Sequence, residues 1–258
     1  MEKLALALVL LITRSQALSE ASTGLRGKAF IFPMGSTAFV KLRPPGNKNL
    51  TAVTVCLRYF SDLSRDMDMF ALITQSHNGF QMYAARSKYH FIWVGDDYVW
   101  FYDMPHKQNE WNSFCGTWDS GTGLTQAWVN GRHSTREYLF AGGSLESSYS
   151  IILAQKYDAQ GFDLRFDAAQ SFVGELTDVH MWDSVLSPCE IQSYMKGMNF
   201  RKGNVINWQD LEYIPYGNVV VELQLKGGGA NQSRSYRDEP HWSGPVSRRT
   251  HDCRSVFT

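Results

Sequence analysis

The sequence predicts an all-β protein, a two-sheet sandwich with one short helix, and three observations carry that expectation. Short runs with period-two alternation, or enriched in β-branched and aromatic residues, recur between clusters of Gly, Asn, Asp and Pro. A single segment late in the chain carries a complete helix-start signature. With 258 residues, 43% of them hydrophobic and 14% aromatic, the chain is long enough to bury a sizeable core as one sandwich.

The chain opens with Lys3, an unbroken apolar run over 4–12, and the small-residue stretch Ser15-Gln16-Ala17. This is the pattern of a signal peptide over 1–17, too short to span a bilayer, and no later run approaches ~18 apolar residues. A secreted product without a membrane span is therefore expected. Strand patterns follow at 29–32, 53–60, 80–84, 89–94, 98–102, 124–129 and 150–153, and Asn130-Gly131 marks a hairpin turn. In Ser187-Pro188-Cys189-Glu190 an N-cap serine, a proline at the first helical position and a glutamate three residues after the cap coincide. Ile191 and Tyr194 share one face of that helix, and Gly197 ends it. No repeat of 20–50 residues is present. From Gly227 the chain becomes polar, rich in Ser and Arg, and is expected to be a flexible tail over 227–258. Its Arg248-Arg249 pair reads as a processing site or a solvated basic patch, and Asn49 and Asn231 head glycosylation sequons.

Lys+Arg and Asp+Glu both number 25, so no global field draws the chain to nucleic acid or an anionic membrane. In an oxidising compartment the four cysteines default to disulfides, with three pairings open. Cys56 and Cys115 both lie in strand-like, aromatic-rich stretches, and joining them would staple neighbouring strands. Cys189 and Cys253 would then bond to each other or link chains. An enzyme is disfavoured: G-x-S-x-G, H-E-x-x-H and the P-loop are all absent. Glycoside hydrolysis needs two carboxylates about 5 to 9 Å apart across the scissile bond. The adjacent Asp96-Asp97 would point to opposite faces of a strand or lie in a turn.

Ser113-Phe114-Cys115-Gly116-Thr117-Trp118-Asp119-Ser120 resembles the pentraxin signature H-x-C-x-[ST]-W-x-S, departing only at Ser113. Lys28-Ala29-Phe30-Ile31-Phe32-Pro33, Trp128-Val129-Asn130-Gly131, Ser150-Ile151-Ile152-Leu153-Ala154-Gln155, Gln170-Ser171-Phe172-Val173-Gly174 and Asn204-Val205-Ile206-Asn207-Trp208 are similar to further pentraxin segments in the same order. The resemblance runs over 26–226, the expected pentraxin domain. It implies a jelly-roll (concanavalin-like) sandwich, a Cys56–Cys115 disulfide, a homopentamer and a secreted pattern-recognition protein of innate immune, acute-phase type. It also implies calcium-dependent binding of phosphocholine, phosphoethanolamine or carbohydrate on cell surfaces, with complement as a partner.

By that resemblance two calcium ions lie side by side, and Asn78, the Tyr157 carbonyl, Asp158, Asp167 and Gln170 are their ligands. His77 stands where the family has Asp, and Lys156 where it has the Glu that bridges both ions. Two adjacent dications need several carboxylates, so calcium affinity is expected to fall. Lys156 is then expected to pair with Asp158, or Asp163 to substitute as a ligand. Tyr83 matches the family's apolar ring position, whereas Trp93 stands where the family has a small residue and Tyr98 where it has an acid; the three read as an aromatic cage for a quaternary ammonium or as packing groups. The alternative to calcium-dependent recognition is a calcium-independent, lectin-like or structural oligomer subunit with a degraded metal site.

Overall fold

The computed structural model describes residues 24–35, 37–46, 48–76, 79–85, 89–156 and 168–224. The expected signal peptide, the tail from Gly227 and Cys253 lie outside the described residues.

The described chain forms two antiparallel sheets. In spatial order the first contains β10 (Arg132–Tyr138), β9 (Leu124–Val129), β8 (Asn112–Asp119), β3 (Ala52–Phe60), β12 (Gly174–Trp182), β1 (Lys28–Phe32) and β15 (Val220–Leu223). The short β13 (Ile206–Asn207) pairs with β12. The second sheet runs β14 (Glu212–Tyr216), β2 (Phe39–Arg43), β11 (Ser150–Leu153), β4 (Met67–Ile73), β5 (Phe80–Ala85), β6 (Tyr89–Val94) and β7 (Asp97–Phe101). This is the expected sandwich.

Alternation along β3 shows how one strand serves both of its faces. Val53, Val55, Leu57 and Tyr59 enter the core between the sheets, where they join Phe30, Phe70, Phe80, Met82, Ile92, Phe114 and Trp118. The intervening Cys56 faces outward into a separate cluster with Cys115, Trp128, Trp182, Leu186, Ile191 and Tyr194. That outer cluster is roofed by α1 (Pro188–Met195), the helix the sequence announces. Ser187 accepts from the Glu190 amide and Glu190 accepts from the Ser187 amide, completing the capping box. A Ser187→Ala variant is expected to lose about 1 kcal/mol. The loss should appear as a lower urea midpoint at unchanged slope.

Cys56 and Cys115 sit directly opposite each other on β3 and β8 and are joined, so of the pairings open in the sequence this one forms. Cys189, in the first turn of α1, is disulfide-bonded as well. The departure at Ser113 also has a structural role. Its hydroxyl accepts from the Arg58 guanidinium at 3.0 Å, while the same guanidinium bonds Asp178 at 3.1 Å and the Tyr194 carbonyl at 2.6 Å. Arg58 thus links β8, β12 and the carbonyl end of α1, where a cation is favoured. Burial raises the Asp178 carboxyl, but His180 and Arg58 outweigh it and hold the group below the usual carboxylate range.

Candidate ligand face

The second sheet buries one face against the first and turns the other outward. Pairing of Asp68 with Tyr83 and of Ala71 with Gln81 sets β4 and β5 in register, placing all four residues on the outer face. The turn between these strands ends at Gly79, whose φ is +68°. A Cβ there would stand 2.1 Å from the Leu72 carbonyl oxygen, so only glycine permits the strands to close this tightly. His77 and Asn78, immediately before it, lie outside the described residues.

A second segment leaves β11 at Ala154, where φ turns to +73°. Both ends of this segment are fastened along β4. The Ala154 amide donates to the Met69 carbonyl at 3.3 Å, the Asp68 amide to the Gln170 carbonyl at 3.0 Å, and the Phe172 amide back to the Ala154 carbonyl at 2.9 Å. Asp68 also bridges Ser171 in parallel register, and Arg65 reaches the Ala169 carbonyl. Of the residues expected to bind calcium, Gln170 is therefore placed beside β4, with its main-chain oxygen engaged by Asp68. Tyr157, Asp158 and Asp167, with Asp163, lie outside the described residues. Lys156 is described and partly exposed. Among the described residues no group of three His, Cys, Asp or Glu stands together as a metal site.

Asp68 was not anticipated from the sequence. It is 0% exposed, and among the described residues neither carboxylate oxygen meets a donor at normal hydrogen-bond geometry, the Tyr83 hydroxyl and the Phe70 amide lying near enough only to oppose its burial. Burial pushes its carboxyl well above the ordinary carboxylate range, opposed by the Tyr83 hydroxyl, the Phe70 amide and the Lys156 ammonium. The available signal was an acid inside the otherwise apolar run Met67-Asp68-Met69-Phe70-Ala71-Leu72-Ile73.

The aromatic residues of β5, β6 and β7 form a row on the same face. Tyr83 stacks on Phe91 at 4.0 Å, Phe91 meets Trp100 at 4.5 Å, and Trp93 stacks on Tyr98 at 4.9 Å. Phe91 and Trp100 also contact Tyr98, at 6.2 and 6.1 Å. Tyr83 is 2% exposed and gives its hydroxyl to Gln81, whereas Tyr98 is 45% exposed. Tyr83, Trp93 and Tyr98 therefore share a stacked row with a buried end and an open end. Sequence reasoning left out Phe91 and Trp100, the two rings that join them, although Phe91 and Trp93 alternate within one strand.

The sequence family described as the Pentaxin family matches residues 28–223. The chain is a pentraxin. It is 42% identical over 227 residues to C-reactive protein of Sus scrofa, covering 87% of this chain and 99% of that one. It is 38% identical over 206 residues to serum amyloid P-component of Mesocricetus auratus, covering 78% and 85% respectively. In structure it matches the native heptameric SAP-like pentraxin of Limulus polyphemus with a TM-score of 0.71 at 17% identity, over 78% of this chain and 97% of that one. This pentraxin accordingly has the jelly-roll fold and belongs with non-enzymatic, innate-immune recognition proteins. No helix among the described residues is long and apolar enough to cross a membrane.

Proposed function

We propose that this pentraxin is secreted, assembles as a homopentamer, and binds phosphocholine, phosphoethanolamine or carbohydrate groups on the outer face of the second sheet. Complement is the effector partner that family membership suggests. The observation that supports the ligand face is the aromatic row, which lies beside the segment fastened to β4. A quaternary ammonium or the apolar side of a sugar gains contact energy over such rings. Tyr98 and Trp93 are the rings that meet the ligand, and buried Tyr83 backs them through Phe91.

The residues present do not fit a two-calcium site. His77 and Lys156 replace two of the expected acids, and burial pushes the carboxyl of Asp68, whose amide bonds Gln170, well above the ordinary range, which disfavours the charged form a cation would need. Asn78, the Tyr157 carbonyl, Asp158, Asp167 and Gln170 remain as donors for one weakly held calcium. Lys156 favours calcium-independent recognition over the metal-dependent kind.

Binding of phosphocholine-coated beads with and without EGTA tests both parts. Tyr98→Ala and Trp93→Ala are each expected to weaken capture by about fivefold, from a cation–π contribution of about 1 kcal/mol. Capture should survive EGTA. Unchanged capture by both variants would remove the aromatic row from the function, and complete release by EGTA would restore the calcium-dependent reading.

A further inference from the structure

Asn49 heads a glycosylation sequon that the proposed function leaves unused, and the fold presents both of its recognised side chains to solvent. We propose that Asn49 carries an N-linked glycan, at the end of the sandwich where the β4–β5 and β6–β7 hairpins turn. The inference rests on the proposed secretion, which is what brings a sequon to the glycosylating enzyme.

The three residues of the sequon lie between β2 of the second sheet and β3 of the first. Leu50 pairs with Leu145 in an isolated antiparallel bridge, each amide donating to the other's carbonyl at 2.8 Å. The Thr51 carbonyl accepts from the Ser120 amide at 2.8 Å. Along a chain paired in this way successive side chains point to opposite sides. Leu50 enters the core at 1% exposure, so Asn49 and Thr51, one on either side of it, both face outward and are exposed. A single hydrogen bond orients the carboxamide. The Ser147 amide, which can only donate, lies 2.7 Å from Asn49 Oδ1. Nδ2, the atom that takes the sugar, is left on the other side, and no described residue hydrogen-bonds it.

In the transfer, Nδ2 attacks the anomeric carbon of an oligosaccharide carried on a polyprenyl pyrophosphate. A C–N bond forms, the C–O bond to the pyrophosphate breaks, the polyprenyl pyrophosphate leaves, and one amide proton passes to a base of the transferase. The product keeps its carbonyl oxygen, so the bond from Ser147 survives in the glycosylated chain. Glu146, beside Ser147, accepts from the Ser76 hydroxyl at 2.7 Å in the turn after β4. Gly79, at the end of that turn, accepts from the Gly95 amide between β6 and β7 at 2.8 Å, and the Gly95 carbonyl accepts from Trp93 Nε1 at 2.9 Å. The glycan thus leaves from the same end of the sandwich as Trp93 in the aromatic row. A bulky, hydrated group there keeps the site from being buried, so the subunits of the proposed homopentamer must meet elsewhere.

Expression of the full chain in a secretory eukaryotic cell, with electrophoresis before and after peptide-N-glycosidase, tests the site. Asn231, which heads the other sequon, lies outside the described residues, so the comparison is made in an Asn231→Gln background. There, digestion should still increase the mobility, and peptide mass mapping should find aspartate at position 49, the residue that the enzyme leaves behind. Asn49→Gln and Thr51→Ala should each abolish the shift, whereas Thr51→Ser, which keeps a hydroxyl in the sequon, should retain it. Protein that reaches the medium with an unmodified asparagine at position 49 would overturn the inference and leave secretion standing. So would a shift that survives Asn49→Gln in that background. Chain held in the cytosol with residues 1–17 still attached would overturn the secretion reading and this inference with it. Mapping of the parent needs no variant, so a variant that fails to fold leaves the test intact.

Discussion

Replacing Cys56 and Cys115 together by alanine should destabilise this pentraxin by about 4 kcal/mol. The bond closes a span of 59 residues, and the chain-entropy model assigns a loop of that length about 4 kcal/mol through restriction of the unfolded chain. Loss of packing adds to this, because both sulfurs are fully buried beneath α1 among Trp128, Trp182, Leu186, Ile191 and Tyr194. At about 2–4 °C per kcal/mol for a protein of this size, Tm should fall by about 8–16 °C. The substitution is a cleaner probe than a reducing agent, which would also attack the disulfide at Cys189. Calorimetry of the double variant against its parent reads the effect directly. A loss below about 1 kcal/mol would mean that the β3–β8 pairing is held in the unfolded ensemble by other contacts.

The same pair shows what was legible in the sequence. Strand character around Cys56 and Cys115 was visible because β3 alternates cleanly, and α1 was visible because its capping box is written in four consecutive residues. β4 left no such trace. All seven of its residues are buried, so neither face produces alternation, and Asp68 reads locally as a break in a strand. β10 was hidden for the opposite reason, since Arg132-His133-Ser134-Thr135-Arg136-Glu137-Tyr138 is mostly exposed at a sheet edge. The proposed ligand face was legible only as departures from a resemblance. His77 and Lys156 were visible as departures from the family's acids, but Asp68 gave no such mark, because its burial depends on how Gln170 and Ser171 are fastened along β4, a tertiary fact with no local signal.

Acidification should expose a second vulnerability, in the core between the sheets. Tyr59 stands between two histidines, its hydroxyl 3.1 Å from His90 Nε2 and 2.9 Å from His106 Nδ1. His90 is fully buried, with Phe114 edge-on at 4.8 Å, and its Nδ1 has no partner among the described residues. The arrangement that leaves least unsatisfied has His90 Nε2–H donating to Tyr59 and the Tyr59 hydroxyl donating to His106. His90 Nδ1 is then a bare acceptor, cheaper to bury than an N–H. Protonating His90 would place a charge and an unpaired donor in that core. Burial and the neighbouring His106 accordingly lower its pKa from 6.5 to about 3. Burial lowers that of His106 as well. An unfolded His90 takes up its proton below about pH 6.5, whereas the folded one resists until about pH 3. The stabilising contribution is complete above the upper value and is lost progressively as pH falls through this window. At pH 5 the loss from His90 is about 2 kcal/mol, from about 1.4 kcal/mol per pH unit. Urea titrations at pH 7.5 and 5 should show it, and His90→Phe should flatten the dependence while Tyr59 keeps His106 as a partner. An equally steep fall in the variant would place the acid sensitivity elsewhere. Because the charge would enter between β6 and β3, acid should loosen the pairing of the two sheets before it touches the disulfide-stapled side under α1.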